Sequence, residues 1–417
     1  MIRAGIIFLF LSCFAANSYT QEIAVSEDLL VQRFYASADQ NPFWLSSRKN
    51  SRKATEWLAE IESSEKLGLS PDKLQIDKIR SALQRRKTLR SIDKEQTDKQ
   101  ITYLVLHFLK DLEQGNIILD YDEVTVQRDP AYSNQLLKQK PRESVSEFVA
   151  RLECKDPDYL VLKYFLRDSI TVKDTLKHKE VVLAMNYRKY LAANHQPEYL
   201  IVNIPEAEAS YYRNDKLLIK MRTVVGKKKT PTPTIASYIT SIVTFPYWNV
   251  PHSIAVNELL PKAQKNEDYL EQNNFEVVDA KGIIIEDSEL DLKKYNAQDF
   301  PYYFRQSTGA ENDLGVIKFN LQNPFSIFLH STSSTSSFTR DLRFLSHGCI
   351  RLEKPFELAD ALLRGKIDIA ELRRGKKNTE PETLQLPLKI PVFIVYVPVK
   401  VESGKVTFPR DVYELIK

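Results

Sequence analysis

Apolar residues in roughly the first 170 positions recur at the spacing of an amphipathic helix. The clearest apolar stripe, at positions i, i+3, i+4 and i+7, consists of Ile101, Leu104, Val105, Phe108 and Leu112. Comparable spacing predicts helices over residues 24–36, 53–66, 73–86, 97–114, 144–152 and 181–193, with turns at Asn41-Pro42, Gly68 to Pro71 and Asp129-Pro130. The pattern therefore predicts a helical scaffold over residues 21–198.

From about residue 199 the pattern changes to short runs rich in β-branched and aromatic residues, which favour strands. Strands are predicted over residues 199–204, 210–212, 216–225, 241–245, 315–318 and 325–330, with 392–399 pairing with 405–408. The fold class is therefore α+β, with the helical scaffold followed by a mostly β domain over residues 199–417.

A long segment interrupts the strand pattern at residues 252–300. Its first part, residues 254–265, has helical character, and its last part, residues 286–299, is acidic and polar. Long insertions beside a site commonly enclose substrate, so we expect a capping lid, with an inert surface excursion as the alternative.

Composition limits the class of protein. The chain has 417 residues, of which 43% are hydrophobic, enough for two or three packed domains. The net charge is only +4, which argues against nucleic acid as a partner. The sequence contains no spacing of cysteine and histidine that would complete a metal site, and we expect no cofactor.

The N-terminus has the pattern of a signal peptide over residues 1–20. Arg3 precedes an apolar run at residues 6–14, and cleavage is expected after Ser18 or Thr20. We therefore expect an exported protein of the periplasm or cell envelope. Lipidation at Cys13 is the alternative, although the apolar stretch before it is short.

Candidate chemistry is concentrated in the segment Ser346-His347-Gly348-Cys349-Ile350-Arg351, with His330 nineteen positions before the cysteine. A thiol is a strong nucleophile only as the thiolate, and a nearby imidazole can take its proton. Gly348 lacks a Cβ and allows a turn in which successive amide N–H groups face one point, where an oxyanion would be held. These residues indicate acyl transfer.

At these residues the chain resembles the L,D-transpeptidases with a YkuD-type catalytic domain, in their long, YcbB-like branch. The resemblance covers roughly the second half of the chain and includes Val225-Gly226-Lys227, residues 245–251, Phe304-Arg305-Gln306, residues 312–318 and Leu329-His330. It implies an enzyme of cell-wall synthesis and cell shape that joins peptidoglycan stem peptides by 3→3 cross-links. It also implies covalent inhibition by carbapenems.

The resemblance assigns roles to the matching residues. Cys349 would be the nucleophile and His330 its base, with the oxyanion held by backbone N–H groups around His347, Gly348 and Cys349. His347 would orient the loop rather than act as a base. Ser346 would fix the turn by hydrogen bonding.

Two arginines complete the predicted site. Arg351 would bind a substrate carboxylate through its planar fork of donors, and Arg305 is a second substrate-binding candidate. The chain departs from common relatives at Ser331 and Phe328, where aspartate and tyrosine are often found. These departures leave the expected reaction type unchanged and concern donor preference and rate.

Other interpretations of the same residues remain open. Zinc could be bound by His330, His347 and Cys349, and Cys349 could pair with Cys154 in a disulfide. Water in place of an amine would make the protein an L,D-carboxypeptidase or endopeptidase, and a decayed site would leave a non-catalytic envelope-binding scaffold. The sequence does not determine the oligomeric state.

Overall fold

A computed structural model describes residues 28–38, 41–125, 136, 140, 142–168, 174–286, 290–376 and 379–417. The predicted leader, Cys13 and the Asp129-Pro130 turn lie outside these residues. The chain forms two compact units, residues 1–117, 129–193 and 401–406 in the first and residues 118–128, 194–400 and 407–417 in the second. Within the described residues, no helix combines the length and the apolar content needed to cross a membrane.

The first unit is helical, as predicted. Its helices are α1 (Leu29–Ser37), α2 (Arg48–Glu62), α3 (Lys73–Gln84), α4 (Ser91–Gln114), α5 (Val145–Leu152), α6 (Pro157–Asp168) and α7 (Thr175–Asn194), with a 3-10 turn at Ser64–Leu67. The sequence analysis missed α6. Helix α5 begins with a capping box, in which Ser144 and Glu147 satisfy each other's backbone N–H groups.

The core of this unit forms around the predicted stripe of α4. Ile101, Val105 and Leu112 are fully buried and pack with Trp57 of α2 and Phe148 of α5. Burial of such side chains contributes about 1.5–3 kcal/mol each, which holds the amphipathic helices together.

The second unit is built on one large sheet. Strands are numbered in chain order, and β6, β7 and β8 belong to a separate small sheet. The strands of the large sheet are β1 (Tyr121–Asp122), β2 (Glu198–Asn203), β3 (Glu208–Arg213), β4 (Lys216–Gly226), β5 (Ile235–Thr244), β9 (Ile317–Leu321), β10 (Leu329–His330), β11 (Phe344–Ser346), β12 (Ile350–Leu352) and β13 (Glu382–Val395). The order is β1-β5-β13-β2-β3-β4-β12-β10-β9, β11 pairs with β4, and β9 also pairs with β5. The main strands therefore close into a ring.

Two strand predictions were wrong. Strand β10 contains only Leu329 and His330, because Asn323 closes a turn before it. The Asn323 side chain accepts from the N–H groups of Phe325 and Ile327 and donates to the Ile327 carbonyl oxygen. Such side-chain bonds compete with a strand ladder.

The pairing predicted for residues 392–399 was the second error. Residues 392–395 belong to β13, which lies between β2 and β5 and is fully buried from Val392 to Val395. A strand with partners on both sides has no free edge, so β15 (Lys405–Thr407) pairs with β14 (Lys400–Glu402) instead.

Residues 118–125, which lie within the predicted scaffold range, pack with the second unit. Strand β1 pairs in parallel with β5, placing Tyr121 beside Ile235 and Asp122 beside Ala236. A strand this short carries almost no periodicity, which is why the sequence pattern does not reveal it.

The insertion at residues 252–300 has its own core. It contains α8 (His252–Ile254), a π-helical turn (Ala255–Leu259), α9 (Leu260–Lys265), α10 (Tyr269–Gln272) and a 3-10 turn (Leu292–Lys294). A three-stranded sheet, in the order β6 (Trp248–Asn249), β8 (Tyr303–Gln306), β7 (Phe275–Val278), flanks them. We call residues 248–306 the capping segment. Later in the chain, helices α11 (Pro355–Leu363) and α12 (Ile369–Arg374) follow β12.

Candidate active site

Cys349 lies in a tight loop between β11 and β12. Gly348 has φ +120°, a conformation that L-residues with a Cβ rarely adopt. Ser346 fixes this loop, because its hydroxyl donates to the Cys349 carbonyl oxygen at 2.6 Å and accepts from the Gly348 N–H at 3.2 Å. Ser346 therefore holds the turn, and the Gly348 N–H is engaged within it.

The loop is supported from the neighbouring segment. The Thr232 hydroxyl donates to the Gly348 carbonyl oxygen at 2.7 Å and accepts from the Gly226 N–H at 2.9 Å. The Lys227 N–H donates to the Ser346 carbonyl oxygen at 3.0 Å. These bonds place the nucleophile candidate on a rigid loop, as precise chemistry requires.

His330 is brought beside this loop by strand pairing. Strand β10 runs parallel to β12, with Leu329 opposite Ile350 and His330 opposite Arg351. The imidazole is buried, and its Nδ1 has no hydrogen-bond partner among the described residues. Burial, reinforced by the positive charge of Arg351, lowers the pKa of His330 to about 3, so the ring is neutral.

The thiol of Cys349 is partly exposed and lies 3.8 Å from the Ser326 carbonyl oxygen, to which it donates. No hydrogen bond joins Cys349 and His330, both of which are described; such contacts often tighten only when substrate binds. Burial raises the pKa of Cys349 to about 11, and the positive charges of Lys318 and Arg351 act in the opposite direction. The resting pair is therefore a thiol and a neutral imidazole.

Arg351 points its guanidinium into the same site. Its Nε is buried and has no hydrogen-bond partner among the described residues. Burial lowers the pKa of Arg351, while the carboxylate of Asp313 acts in the opposite direction. A buried guanidinium donor without a partner is suited to a ligand carboxylate.

His347 lines the same cavity and contacts charged side chains of its edge. Its Nε2 lies 2.6 Å from Glu258 Oε1 of the capping segment and 3.1 Å from Lys227 Nζ. These contacts tie the loop of Cys349 to the capping segment; the orienting role of His347 stays a prediction.

Arg305 lies apart from these groups. Its guanidinium donates to Glu276 at 2.7 and 2.9 Å and stacks 4.7 Å from the Tyr247 ring centroid, within the capping segment and its β6 edge. Its donors are thus used in an ion pair, and the structure does not bring Arg305 to the cavity that the other candidates line.

The candidates meet at one cavity of about 960 Å³. Cys349, His330, His347, Ser346 and Arg351 line it together with Glu258, Lys262, Tyr269 and Asn274 of the capping segment. The sequence analysis missed Asp313, Ser326 and Lys318, because a lone charge or a turn serine carries no motif. Both Cys349 and Cys154 are free, and the described residues contain no cluster of three or more metal-ligating side chains.

Comparison with known proteins identifies this region. Residues 197–375 match the sequence model of the L,D-transpeptidase catalytic domain, YkuD. This chain carries a YkuD-type L,D-transpeptidase domain. The predicted resemblance is thereby confirmed. Residues 29–166 match a scaffold domain model, which agrees with the helical first unit and confirms the predicted α+β architecture.

A protein of Haemophilus influenzae, named as an L,D-transpeptidase, is 32% identical over 233 residues. The match covers 55% of this chain and 47% of that relative, so the chain spans about half the length of the curated relative it matches.

Solved structures of L,D-transpeptidases are also similar over about half the chain. One from Mycobacterium smegmatis is 12% identical, with 48% of this chain and 58% of that chain covered and a TM-score of 0.25. The catalytic domain from Enterococcus faecium acylated by ertapenem is 13% identical, with 48% and 98% covered and a TM-score of 0.24.

Proposed function

We propose that this L,D-transpeptidase domain joins peptidoglycan stem peptides through a thioester on Cys349, giving 3→3 cross-links. The observation that supports this most directly is the cavity lined by Cys349, His330 and Arg351. It combines a thiol on a fixed loop with an imidazole nitrogen and a guanidinium donor that both lack partners among the described residues.

In the first half-reaction, the Cys349 proton passes to His330 as the sulfur attacks the carbonyl of the diaminopimelate residue in a tetrapeptide stem. The oxyanion is held by the remaining backbone N–H groups of the loop around Cys349, since the Gly348 N–H already donates to Ser346. The bond to the terminal D-alanine breaks, and His330 returns the proton to the departing amine. A thioester remains on Cys349.

In the second half-reaction, an amine of another stem attacks the thioester. Its proton goes to His330 and then to the departing Cys349 sulfur, and the new amide is the cross-link. No ATP is needed, because the energy of the broken amide is conserved in the thioester.

Arg351 has a second effect in this scheme. Its charge is one of the causes that lower the pKa of His330, after burial itself. A substrate carboxylate bound to Arg351 offsets that charge and makes His330 a better base. Substrate binding thus prepares the base for proton transfer.

We further propose that the protein acts in the periplasm or cell envelope, where peptidoglycan lies, after removal of the predicted leader. A carbapenem would acylate Cys349 as a substrate analogue, because its strained amide carbonyl meets the same nucleophile and donors. Hydrolysis of the thioester by water is the competing outcome, and it would make the protein a carboxypeptidase or endopeptidase.

The test is incubation of the mature protein with purified tetrapeptide muropeptides, followed by mass spectrometry. Linked dimers support the proposal, and tripeptides without dimers indicate the hydrolase. A carbapenem should add covalently to the wild type and not to C349A, with circular dichroism confirming that both are folded. No adduct on folded wild type would leave the non-catalytic scaffold as the better reading.

A further inference from the structure

Lys318, the last residue of the segment 312–318, lies in the same row of the sheet as His330 and Arg351. In the antiparallel pair β9–β10, Lys318 is opposite His330, and in the parallel pair β10–β12, His330 is opposite Arg351. Directly paired residues project from the same face of a sheet. Two cations therefore flank the imidazole on the face that carries the site.

Cys349 and Phe328 lie next to these paired residues, directly before β12 and β10 begin. Each lies two positions before a member of the first row, Arg351 and His330 respectively, and the Ile350 N–H donates to the Phe328 carbonyl oxygen at 3.1 Å. The Lys318 Nζ lies 4.4 Å from the centroid of the Phe328 ring. The Lys318 side chain therefore extends toward Phe328, which is hydrogen-bonded through its carbonyl oxygen to the residue after Cys349.

Lys318 has few other roles. Lys318 is partly buried, and no carboxylate of the described residues is among the groups that shift its pKa. Burial lowers its pKa, and the Cys349 sulfur acts in the opposite direction. The Cys349 sulfur raises the pKa of Lys318, and the Lys318 charge lowers the pKa of Cys349. A cation close to a thiolate has this effect, because each charge stabilises the other.

The remaining charges around the cavity do not replace it. They are His347 and Arg351 near the loop, Glu311 and Asp313 before β9, and Glu258 and Lys262 of the capping segment. His330 is neutral at physiological pH, and Arg351 is assigned to a substrate carboxylate in the proposed function. When Arg351 is engaged by a carboxylate, Lys318 is the other cation whose charge acts on the Cys349 sulfur.

We propose that Lys318, held by the ring of Phe328, is the cation that stabilises the Cys349 thiolate. This inference rests on Cys349 being the nucleophile of the proposed function. It also gives Phe328 a role, since an aromatic face positions an ammonium group without neutralising it, as a carboxylate would.

The experiment measures alkylation of Cys349 by iodoacetamide in the full chain, from about pH 6 to about pH 11. The thiolate displaces iodide, forming one S–C bond as the C–I bond breaks, so the rate reports thiolate content. Peptide mass spectrometry follows Cys349 separately, and Cys154, which is buried, serves as an internal control in the same sample.

In K318M we expect alkylation to be about tenfold slower at every pH from about 6 to about 9, because below the thiol pKa the rate follows the thiolate fraction, which falls tenfold when the pKa rises by about one unit. K318R should stay near the wild type, because it keeps the charge. F328L should slow alkylation in the same direction by less. K389M, which removes an exposed lysine of β13, is the matched control and should leave the curve unchanged.

An unchanged alkylation rate of Cys349 between about pH 6 and about pH 9 in folded K318M would overturn the inference. If K318M does not fold, the reciprocal measurement decides: the pKa of Lys318, followed by NMR of its labelled ε-carbon, should be lower in C349A than in the wild type. Equal values would also overturn it. Because alkylation needs no peptidoglycan, loss of cross-linking activity and loss of this effect are separate results.

Discussion

Two buried polar clusters, one in each unit, differ in whether their hydrogen bonds are satisfied. In the helical unit, the fully buried Asp98 accepts from the Phe43 and Leu45 N–H groups at 2.8 and 2.7 Å and from the Tyr35 hydroxyl at 2.5 Å. Thr102 accepts from the Trp44 indole at 2.9 Å. In the site, His330 Nδ1 and Arg351 Nε have no partner among the described residues.

The difference separates a structural cluster from a reactive one. A buried polar group without a partner costs about 1–3 kcal/mol, so folding alone favours the arrangement around Asp98. In the proposed function, a bound ligand would supply partners to the open groups of the site. Changes in the two clusters should therefore have different effects, on stability in one and on reactivity in the other.

The largest expected effect is on reactivity. Replacing His330 by glutamine should slow carbapenem acylation of Cys349 by about 10²- to 10⁴-fold, because a general base contributes that much. The rate is measured by mass spectrometry of the acyl-enzyme. H107Q in the helical unit, where His107 pairs with Asp28, is the control and should acylate at the wild-type rate. Equal rates in H330Q and the wild type would show that His330 is not the base.

The next effect is on stability. Asp98→Ala should lower the free energy of unfolding by about 3 kcal/mol, because it leaves two backbone N–H groups and the Tyr35 hydroxyl without their acceptor. Urea unfolding monitored by circular dichroism measures this. Acylation of the molecules that remain folded should be unchanged. A slower acylation per folded molecule would contradict the separation of the clusters.

Acidification should change the free energy of unfolding through one group in each unit, in opposite directions. His330 has its pKa lowered to about 3, so the unfolded chain, with an ordinary value of 6.5, binds the proton first; stability present above pH 6.5 is lost as pH falls toward 3. Asp111 of α4 has its pKa raised to about 6 by burial, so its contribution is present below pH 3.8 and is lost as pH rises through 6.

Urea unfolding at several pH values, in the wild type, H330Q and D111N, measures both contributions. The free energy of unfolding should fall less in H330Q than in the wild type on acidification below pH 6.5. In D111N it should lack the increase that Asp111 contributes near pH 4. The same pH slope in all three proteins would refute the assignment.

The smallest effect concerns the contact between the loop and the capping segment. The His347 and Glu258 side chains are 33% and 41% exposed, and a polar contact this exposed contributes at most about 1 kcal/mol. H347Q, E258Q and the double variant should each change acylation by less than about fivefold, with a small coupling energy in the double-mutant cycle. A loss as large as that of H330Q would place His347 in the chemistry.

Much of this protein was predictable from local sequence. The stripe of α4 and the strands β2 to β4 follow from periodicity that burial enforces, and the segment Ser346 to Arg351 follows from the residues that acyl transfer requires. The turn at Asn323, the strand β1 and the ion pair of Arg305 were not predictable. Each depends on a partner distant in sequence or on a side-chain bond that competes with the strand pattern.

The sequence by itself determined which residues carry the candidate chemistry and that a helical region precedes a mostly β domain. Only the tertiary structure decided the electrostatic state of those residues. It placed His330 between Lys318 and Arg351 in one row of the sheet and turned Arg305 toward Glu276. The physical reason is that a pKa or a free donor depends on neighbours and burial, which strand register sets and residue type does not.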